Sequence, residues 1–140
     1  MKMESTHGAS LSVCAISKNE EENLPPFLDH LVPWVDEIVI VDDGSTDRTA
    51  EIAQQTNDKV RFIENSRAPD EGLADQRNLA IEHASSEWIL HTDIDERVPP
   101  QLAREIQAAI VDTDFNAFRY RRLNHFLNRP MHGGGWTGWN

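Results

Sequence analysis

The sequence predicts an α/β fold in which a mainly parallel sheet is covered by helices on both faces. Short runs rich in β-branched and apolar residues alternate with longer runs whose apolar residues recur at helical spacing. This β-α-β-α-β order is typical of a parallel sheet, because a helix then supplies each crossover connection. The 140 residues suffice for one such domain with a buried core.

The first strand is predicted over residues 11–17, an uninterrupted run of small and apolar side chains. A helix follows over residues 23–35, where Pro25 and Pro26 suit a first turn whose N–H groups have no partner within the helix. Cys14, the only cysteine, lies in the first strand and is expected to be buried. A single cysteine also excludes an internal disulfide bond and a cysteine-rich zinc site.

The middle of the chain repeats the alternation of strand and helix. Residues 37–41 are nearly all β-branched and apolar, as expected for a strand buried on both faces. Turn-forming residues come next, and they precede a predicted helix over residues 48–55 and a third strand over residues 60–64. The next helix is predicted over residues 72–84, with one face formed by Leu73, Arg77, Ala80, Ile81 and Ala84.

The last predicted elements are a fourth strand over residues 87–92, a helix over residues 100–112 and a fifth strand over residues 115–121. The fifth strand is predicted from alternation, because Phe118 and Tyr120 fall on one side of an extended chain and arginines on the other.

We assign residues 11–121 to the folded domain. Residues 1–10 are polar, lack the apolar stretch of a signal peptide and are expected to be a disordered leader. Residues 122–140 form a tail that contains Trp136 and Trp139 beside three consecutive glycines. In isolation this tail is expected either to be disordered or to bury its tryptophans against a partner chain, and the second alternative predicts a homo-oligomer.

The formal net charge of −11 argues against nucleic acid as a partner, because a phosphate backbone is bound by lysine and arginine. It is compatible with a small phosphate compound, since carboxylates can hold a divalent cation that holds the phosphates in turn. No apolar run approaches the roughly 20 residues that span a bilayer, so we expect a cytoplasmic chain.

Two acidic clusters are predicted to meet at one edge of the sheet. Asp42 and Asp43 end the second strand, while Asp93 and Asp95 follow the fourth. Ligands of such sheets bind beyond the carboxyl ends of the strands, and residues two apart in an extended segment point the same way. Carboxylates suit Mg²⁺ or Mn²⁺, and the cation could bridge a diphosphate. Alternatively, these aspartates are solvated turn residues and helix caps.

Arg77 occupies a position on the helix face where the pattern favours an apolar residue. A cation on a core-facing stripe is costly unless it is paired. Two interpretations stay open at this point: a contact to a nucleotide or diphosphate, or a snorkelling side chain paired with an aspartate.

Together these residues resemble glycosyltransferase family 2, with its GT-A fold, and most of all its lipopolysaccharide-core and cell-envelope branch. Each motif alone is weak, whereas their order and spacing together are specific. The resemblance covers about residues 11–102 and is carried by Ser17-Lys18-Asn19-Glu20-Glu21, Val41-Asp42-Asp43-Gly44-Ser45-Thr46-Asp47, Arg77-Asn78-Leu79-Ala80 and Thr92-Asp93-Ile94-Asp95-Glu96.

The resemblance implies a site for a nucleotide-activated sugar, most often a UDP-sugar. Asp43 would bond the base, Asp93 would lie near the ribose, and Asp95, with Asp93, would hold Mg²⁺ or Mn²⁺. The implied nucleotide-binding residues are Ser17, Asn19, Glu20, Asp43, Arg77 and Asp93.

The resemblance also implies transfer to a hydroxyl of a saccharide or lipid-linked acceptor, mostly with inversion, and attachment at the inner face of a membrane for members with membrane-bound acceptors.

We identify no catalytic base. Glu96 suits a cap, His125 and His132 are expected to be solvated, and we expect the base beyond Asn140, with the tail 122–140 starting an acceptor region.

Three alternatives are weighed against this interpretation. A non-catalytic nucleotide-sugar-binding fragment differs only in lacking turnover, and the missing base favours it. A receiver-type signalling domain also carries acidic residues after strands, but it needs a lysine after its last strand and no lysine follows Lys59. A sugar-phosphate nucleotidyltransferase would need a glycine-rich loop after the first strand, where this chain has none.

Overall fold

A computed structural model describes residues 8–132, and its main sheet has four parallel strands in the order β3-β2-β1-β4. This arrangement confirms the α/β prediction. The strands are β1 (Leu11–Ser17), β2 (Glu37–Asp42), β3 (Val60–Glu64) and β4 (Trp88–His91).

Helices cover both faces of the sheet, as the sequence predicts. Strand residues alternate between the two faces, so Val13 and Ile40 pack with α1, α2 and α4, whereas Cys14 and Val39 pack with α3. The helices are α1 (Leu24–Leu31), α2 (Thr49–Thr56), α3 (Leu73–His83) and α4 (Pro100–Ala109).

The strand register brings the carboxyl ends of the strands to one edge. Ser17 is level with Asp42, and Asp42 is level with Glu64. His91 is level with Cys14, so the chain beyond β4 runs alongside the last residues of β1. The loops that carry the acidic clusters therefore share one edge of the sheet, as the sequence predicts.

The first helix ends four residues earlier than predicted. After Leu31 the chain turns, and Lys59 Nζ donates to the carbonyls of Val32 at 2.8 Å and Val35 at 2.9 Å. The ammonium satisfies carbonyl groups that a longer helix would have used, so the helix can end there.

The predicted apolar face of α3 is partly wrong. Leu73 is 49% exposed and Ile81 37% exposed, whereas Gln76 and Ala80 face the sheet. Gln76 can be buried because its Nε2 donates to the carbonyl of Asn65 at 2.6 Å. The helix is therefore rotated toward a polar partner that the sequence pattern does not reveal.

The predicted fifth strand over residues 115–121 is wrong: these residues form no extended strand, and only Arg121 makes an isolated bridge. Phe118 packs on Trp88 with ring centroids 5.5 Å apart, and the Tyr120 hydroxyl donates to the carbonyl of His91 at 2.6 Å. The alternating aromatic residues are thus held against β4 by side-chain contacts, without a ladder of backbone hydrogen bonds.

Beyond this segment the chain forms a short antiparallel hairpin of β5 (His125–Phe126) and β6 (Arg129–Pro130). Leu127 and Asn128, between these strands, have φ values of 47° and 61°, as a two-residue type I′ turn requires. His125 and His132 are exposed.

The ends of the described chain bear on two further predictions. Within the segment 1–10, Ala9 is buried in the core, and the hydroxyl of Ser10 accepts the backbone N–H of Glu87 at 2.9 Å. Trp136 and Trp139 lie outside the described residues, so their packing against a partner chain stays a prediction. No helix among residues 8–132 is long and apolar enough to cross a bilayer.

Candidate functional site

Asp42 shapes the loop after β2 and is itself buried, with 2% exposure. Its Oδ1 accepts the hydroxyls of Ser17 and Ser45, both at 2.6 Å, and its Oδ2 accepts the backbone N–H of Ser45 at 2.7 Å. Both oxygens are thus occupied inside the protein. Asp42 and Ser17 therefore fix the carboxyl ends of β1 and β2 side by side.

Asn19 and Glu20 lie in the loop after β1, which is bonded to the loop after β2. Asn19 adopts a φ of 54°, and its side-chain oxygen accepts the backbone N–H of Thr46 at 2.8 Å. The backbone N–H of Glu20 donates to the Thr49 hydroxyl at 2.8 Å. Asparagine tolerates this left-handed conformation better than most residues, so it suits this position.

Asp43 forms an ion-paired cluster with two cations. Its Oδ1 accepts the backbone N–H of Arg67 at 2.8 Å, and its Oδ2 lies 3.0 Å from Arg67 Nε and 3.3 Å from Lys18 Nζ. Foremost the backbone N–H of Arg67, then the side chains of Arg67 and Lys18, lower the pKa of Asp43 from 3.8 to about 2. Asp43 is therefore ionised at neutral pH.

Arg77 meets Asp93 at the carboxyl edge, with Arg77 Nη2 3.3 Å from Asp93 Oδ1. Each side chain is 42% exposed, so the pair remains open to solvent and to a ligand. Of the two interpretations of Arg77, the structure shows the pair with an aspartate. The His91 ring is nearby, and its pKa is lowered by desolvation and then by the charge of Arg77.

Asp95 lies two residues beyond Asp93 and is exposed, with its carboxylate bonded to no other group among residues 8–132. Ile94 between them is buried, with 1% exposure. Because this side chain anchors the triplet in the core, the two aspartates flank the buried residue at the surface. Asp95 is thus a carboxylate available to a ligand.

Glu96 closes the turn that carries both aspartates. Its Oε2 accepts the backbone N–H of Asp93 at 2.9 Å and the Thr92 hydroxyl at 3.1 Å. Its Oε1 lies 2.6 Å from Arg122 Nε, an ion-pair contact whose angle does not make a hydrogen bond. Glu96 therefore caps a turn rather than a helix, and its carboxylate is engaged on both oxygens.

The carboxylates at this edge suit a divalent cation whose other ligands come from a bound phosphate compound and from water. No group of three or more histidine, cysteine, aspartate or glutamate side chains within residues 8–132 could enclose a metal ion. Mg²⁺ is commonly held by one or two carboxylates together with substrate phosphates, and it keeps several waters. Asp95 and Asp93 are the two carboxylates at this edge that could hold a cation in that way.

A cavity of about 1060 Å³ lies beside β4 and is lined by residues of α4 and of the segment 116–122. Arg77, His91, Asp93 and Glu96 also line it, together with apolar residues such as Trp88. Its volume matches that of clefts that hold small organic ligands. The turn with the two aspartates thus borders a space large enough for a sugar.

The structure brings the sequence-predicted residues together in two groups. Ser17, Asn19, Glu20 and Asp43 lie where the loops after β1 and β2 meet, and Arg77, Asp93 and Asp95 lie at the end of β4. Sequence reasoning missed Lys18, Arg67, His91 and Arg97. Two of these four had a sequence signal: Lys18 lies within the first motif of the resemblance, and Arg97 directly follows an acidic cluster that needs a counter-charge.

The parallel sheet and the polar site at its carboxyl edge define a Rossmann-like α/β domain of the kind that binds nucleotides. The chain belongs to glycosyl transferase family 2, whose sequence model matches residues 12–132. The sequence-based identification of the family is thereby confirmed.

The chain is similar to several curated proteins, some of which are named as glycosyltransferases. The lipopolysaccharide core biosynthesis glycosyltransferase LpsC of Rhizobium meliloti is 36% identical over 104 residues, which cover 74% of this chain and 38% of LpsC. A TPR repeat-containing protein of Synechococcus elongatus is 33% identical over 135 residues, covering 87% of this chain and 32% of that protein. The chain thus spans about a third of the length of these relatives.

Solved structures show the same GT-A fold. Residues 1–349 of S. aureus TarS match with a TM-score of 0.61 and 25% identity, over 71% of this chain and 31% of that one. Glucosyl-3-phosphoglycerate synthase of Mycobacterium tuberculosis, in complex with UDP, matches with a TM-score of 0.54 and 25% identity, over 76% of this chain and 43% of that one. TarS has also been solved in complex with UDP.

Proposed function

We propose that this chain is the nucleotide-sugar-binding part of a glycosyltransferase domain that binds a UDP-sugar with a divalent cation. The observation that carries the proposal is the exposed, unbonded carboxylate of Asp95 beside the Arg77–Asp93 pair. Two solved relatives of the same fold are complexes with UDP. A diphosphate needs both a cation and positive side chains, and this edge can supply them.

Asp95, assisted by Asp93, would hold Mg²⁺ or Mn²⁺ in this proposal. Such a cation, when bound, neutralises the charge that develops on a departing diphosphate. Arg77 has five N–H donors in a fixed fork, and Asp93 is within 3.3 Å of only its Nη2. The remaining donors can bind a phosphate oxygen without breaking the pair.

Asp43 would accept the imide N–H of uracil. An ionised carboxylate has about four acceptor sites, and Oδ1 of Asp43 accepts only the backbone N–H of Arg67. One lone pair on that oxygen is therefore available while Oδ2 keeps its contacts with Arg67 and Lys18. Asn19 and Glu20 would form the neighbouring wall of the nucleoside site, and Ser17, which is buried and bonded to Asp42, would support that wall from behind.

A second candidate function is binding of a nucleotide sugar without turnover. It is favoured by Glu96, the carboxylate next to the aspartate pair, because both of its oxygens are engaged and it is a poor candidate for a base. Three further features remain proposals that belong to the glycosyltransferase function. They are inverting transfer to a saccharide or lipid-linked acceptor, a homo-oligomer formed through residues 122–140, and a cytoplasmic position at the inner face of a membrane.

Calorimetric titration of the chain with UDP tests the proposal, first with Mn²⁺ and then with EDTA. We expect binding that requires the metal and weakens at least about tenfold in Asp95→Asn. Asp29→Asn is the matched control, because Asp29 is an exposed aspartate of α1 away from this edge. Equal affinity in EDTA, or an Asp95→Asn variant that binds as wild type, would contradict it. UDP release from UDP-sugars then separates turnover from binding alone.

A further inference from the structure

Arg97 connects the two groups of site residues through backbone carbonyls. Its Nη1 donates to the carbonyls of Ile94 and Glu96, both at 2.7 Å, and its Nη2 donates to the carbonyl of Asn23 at 3.2 Å. Ile94 is the residue between Asp93 and Asp95. One guanidinium therefore holds the middle of the aspartate triplet and the loop that leads into α1.

Asn23 belongs to the nucleoside side of the site. Its backbone N–H donates to the carbonyl of Glu20 at 3.1 Å, and its side-chain amide donates to the carboxylate of Glu20 at 2.9 Å. The chain of contacts thus runs from Arg97 through Asn23 to Glu20. A displacement of either loop would stretch at least one of these hydrogen bonds.

A second contact holds the same two segments together. The backbone N–H of Val98 donates to His30 Nε2 at 3.1 Å, so Nδ1 of that ring carries the proton and donates to the carbonyl of Pro26, also at 3.1 Å. The turn after β4 is therefore fastened at two neighbouring points, by the side chain of Arg97 to Asn23 and by the backbone of Val98 to His30 of α1.

The charge of the turn explains why it needs such contacts. Asp93, Asp95 and Glu96 are three carboxylates within four residues, and like charges this close repel each other. Arg77 pairs with Asp93 and Arg122 with Glu96, whereas Arg97 binds the backbone carbonyls of the turn. Asp95 remains unbonded while the backbone on either side of it is held.

We propose that Arg97 is a positioning residue, which holds the carboxylates of Asp93 and Asp95 at a fixed separation from the nucleoside loop. The proposal rests on the proposed function, because that separation matters when one ligand spans a base at Asp43 and a diphosphate at Asp95. Arg97 contacts no ligand itself in this account. It acts through the carbonyls of Ile94 and Asn23.

Arg97→Ala and Arg97→Lys test the proposal together, and Arg104→Ala is the matched control, because Arg104 is an exposed arginine of α4. Lysine keeps the charge but has no planar fork to reach three carbonyls at once. We expect both Arg97 variants to weaken Mn²⁺-dependent UDP binding by about tenfold to a hundredfold. Binding of uridine, which lacks the phosphates, should stay within about twofold, and the control should match wild type.

Hydrogen exchange of the ligand-free chain provides the second readout. Peptides that contain residues 93–98 and 23–30 should exchange faster in both Arg97 variants, while peptides of β2 stay protected. His30→Phe, which keeps a ring against Phe27 but removes the acceptor of Val98, should have the same effect.

The outcomes separate this proposal from the proposed function. Wild-type affinity in Arg97→Lys, or unchanged exchange in both variants, overturns the positioning role while leaving UDP binding intact. Absence of UDP binding by the wild-type chain removes the proposed function and the positioning role with it. Equal losses of UDP and uridine binding also overturn the proposal, since they indicate a general loss of structure.

Discussion

The guanidinium of Arg77 lies 3.3 Å from the carboxylate of Asp93. Arg77 belongs to α3, which packs on one face of the sheet, and Asp93 follows β4 at the edge of that sheet. This ion pair explains why an arginine occurs at position 77, where the pattern of the helix favours an apolar residue. Its half-exposed geometry leaves both partners accessible to a phosphate.

Replacement of Arg77 by alanine is expected to weaken Mn²⁺-dependent UDP binding by about tenfold, because a charged hydrogen bond to phosphate is worth roughly 1.5–3 kcal/mol. Arg61→Ala is the matched control. Arg61 also lies 3.3 Å from a carboxylate, that of Glu37, but at the start of β2 on the opposite edge. Calorimetry should show unchanged UDP affinity for that control. An Arg77→Ala variant that binds UDP as tightly as the Arg61→Ala control would exclude the phosphate contact.

The carboxyl group of Asp43 is expected to titrate well below its ordinary value of 3.8, at about 2. Its contribution to stability is then present above pH 3.8 and is lost as the pH falls through that value toward the folded pKa. Carbon NMR of the labelled carboxylate measures this pKa directly. Arg67→Ala should raise it only part of the way, because the backbone N–H of residue 67 is the largest cause. A pKa of 3.8 for Asp43 in the wild-type chain would contradict the ion-paired cluster of Asp43 with Arg67 and Lys18.

Stability is expected to decline as the pH falls through 6.5, the ordinary pKa of the His30 ring. Burial lowers the pKa of His30 in the folded chain, and the charge of Arg97 adds to this effect. The unfolded chain therefore binds more protons between 6.5 and the lowered value, so the contribution of His30 is complete above 6.5 and shrinks below it.

Urea unfolding at about pH 7.5 and about pH 5.5 measures this effect, and His30→Phe is the matched variant because phenylalanine does not titrate. The free energy of unfolding should fall less between the two pH values in the variant than in the wild-type chain. Burial is also the main reason why the pKa of His91 is lowered, so His91 accounts for part of the pH dependence that remains in the variant. An identical pH dependence in both proteins would count against a partly buried, neutral His30.

Cys14 is expected to resist thiol reagents while the chain is folded. It is 2% exposed, and burial, with the nearby charge of Glu37, raises its pKa to about 12. Because the thiolate is the reactive form, labelling at about pH 8 should be slow without denaturant and complete in guanidinium chloride. Stoichiometric labelling of the native chain would contradict the burial of β1.

The two central strands, β1 and β2, could be predicted because their sequences are nearly continuous runs of apolar residues, as a sheet covered on both faces requires. The predicted bounds of the third strand equal the observed ones, Val60–Glu64. The prediction of a fifth strand over residues 115–121 was wrong for a physical reason. Phe118 and Tyr120 alternate as strand residues do, but a ring contact of Phe118 and a hydroxyl bond of Tyr120 hold them against β4, and neither contact needs an extended ladder.

The position of the site could be predicted, whereas its internal contacts could not. The carboxyl-edge rule places the acidic clusters together without any knowledge of side-chain partners. Arg67 lies in a loop without periodicity, and its contact with Asp43 depends on how that loop folds back. Gln76 shows the same limit on α3, since its burial depends on a carbonyl eleven residues earlier in the chain.

The most direct test of the account locates the metal by paramagnetic broadening in amide NMR spectra of the chain with UDP and substoichiometric Mn²⁺. The amides of residues 93–96 should broaden first, and this effect should disappear in Asp95→Asn. Broadening centred on other carboxylates, such as the exposed Glu21 and Glu22 of the loop after β1, would contradict a diphosphate and metal site at Asp93 and Asp95.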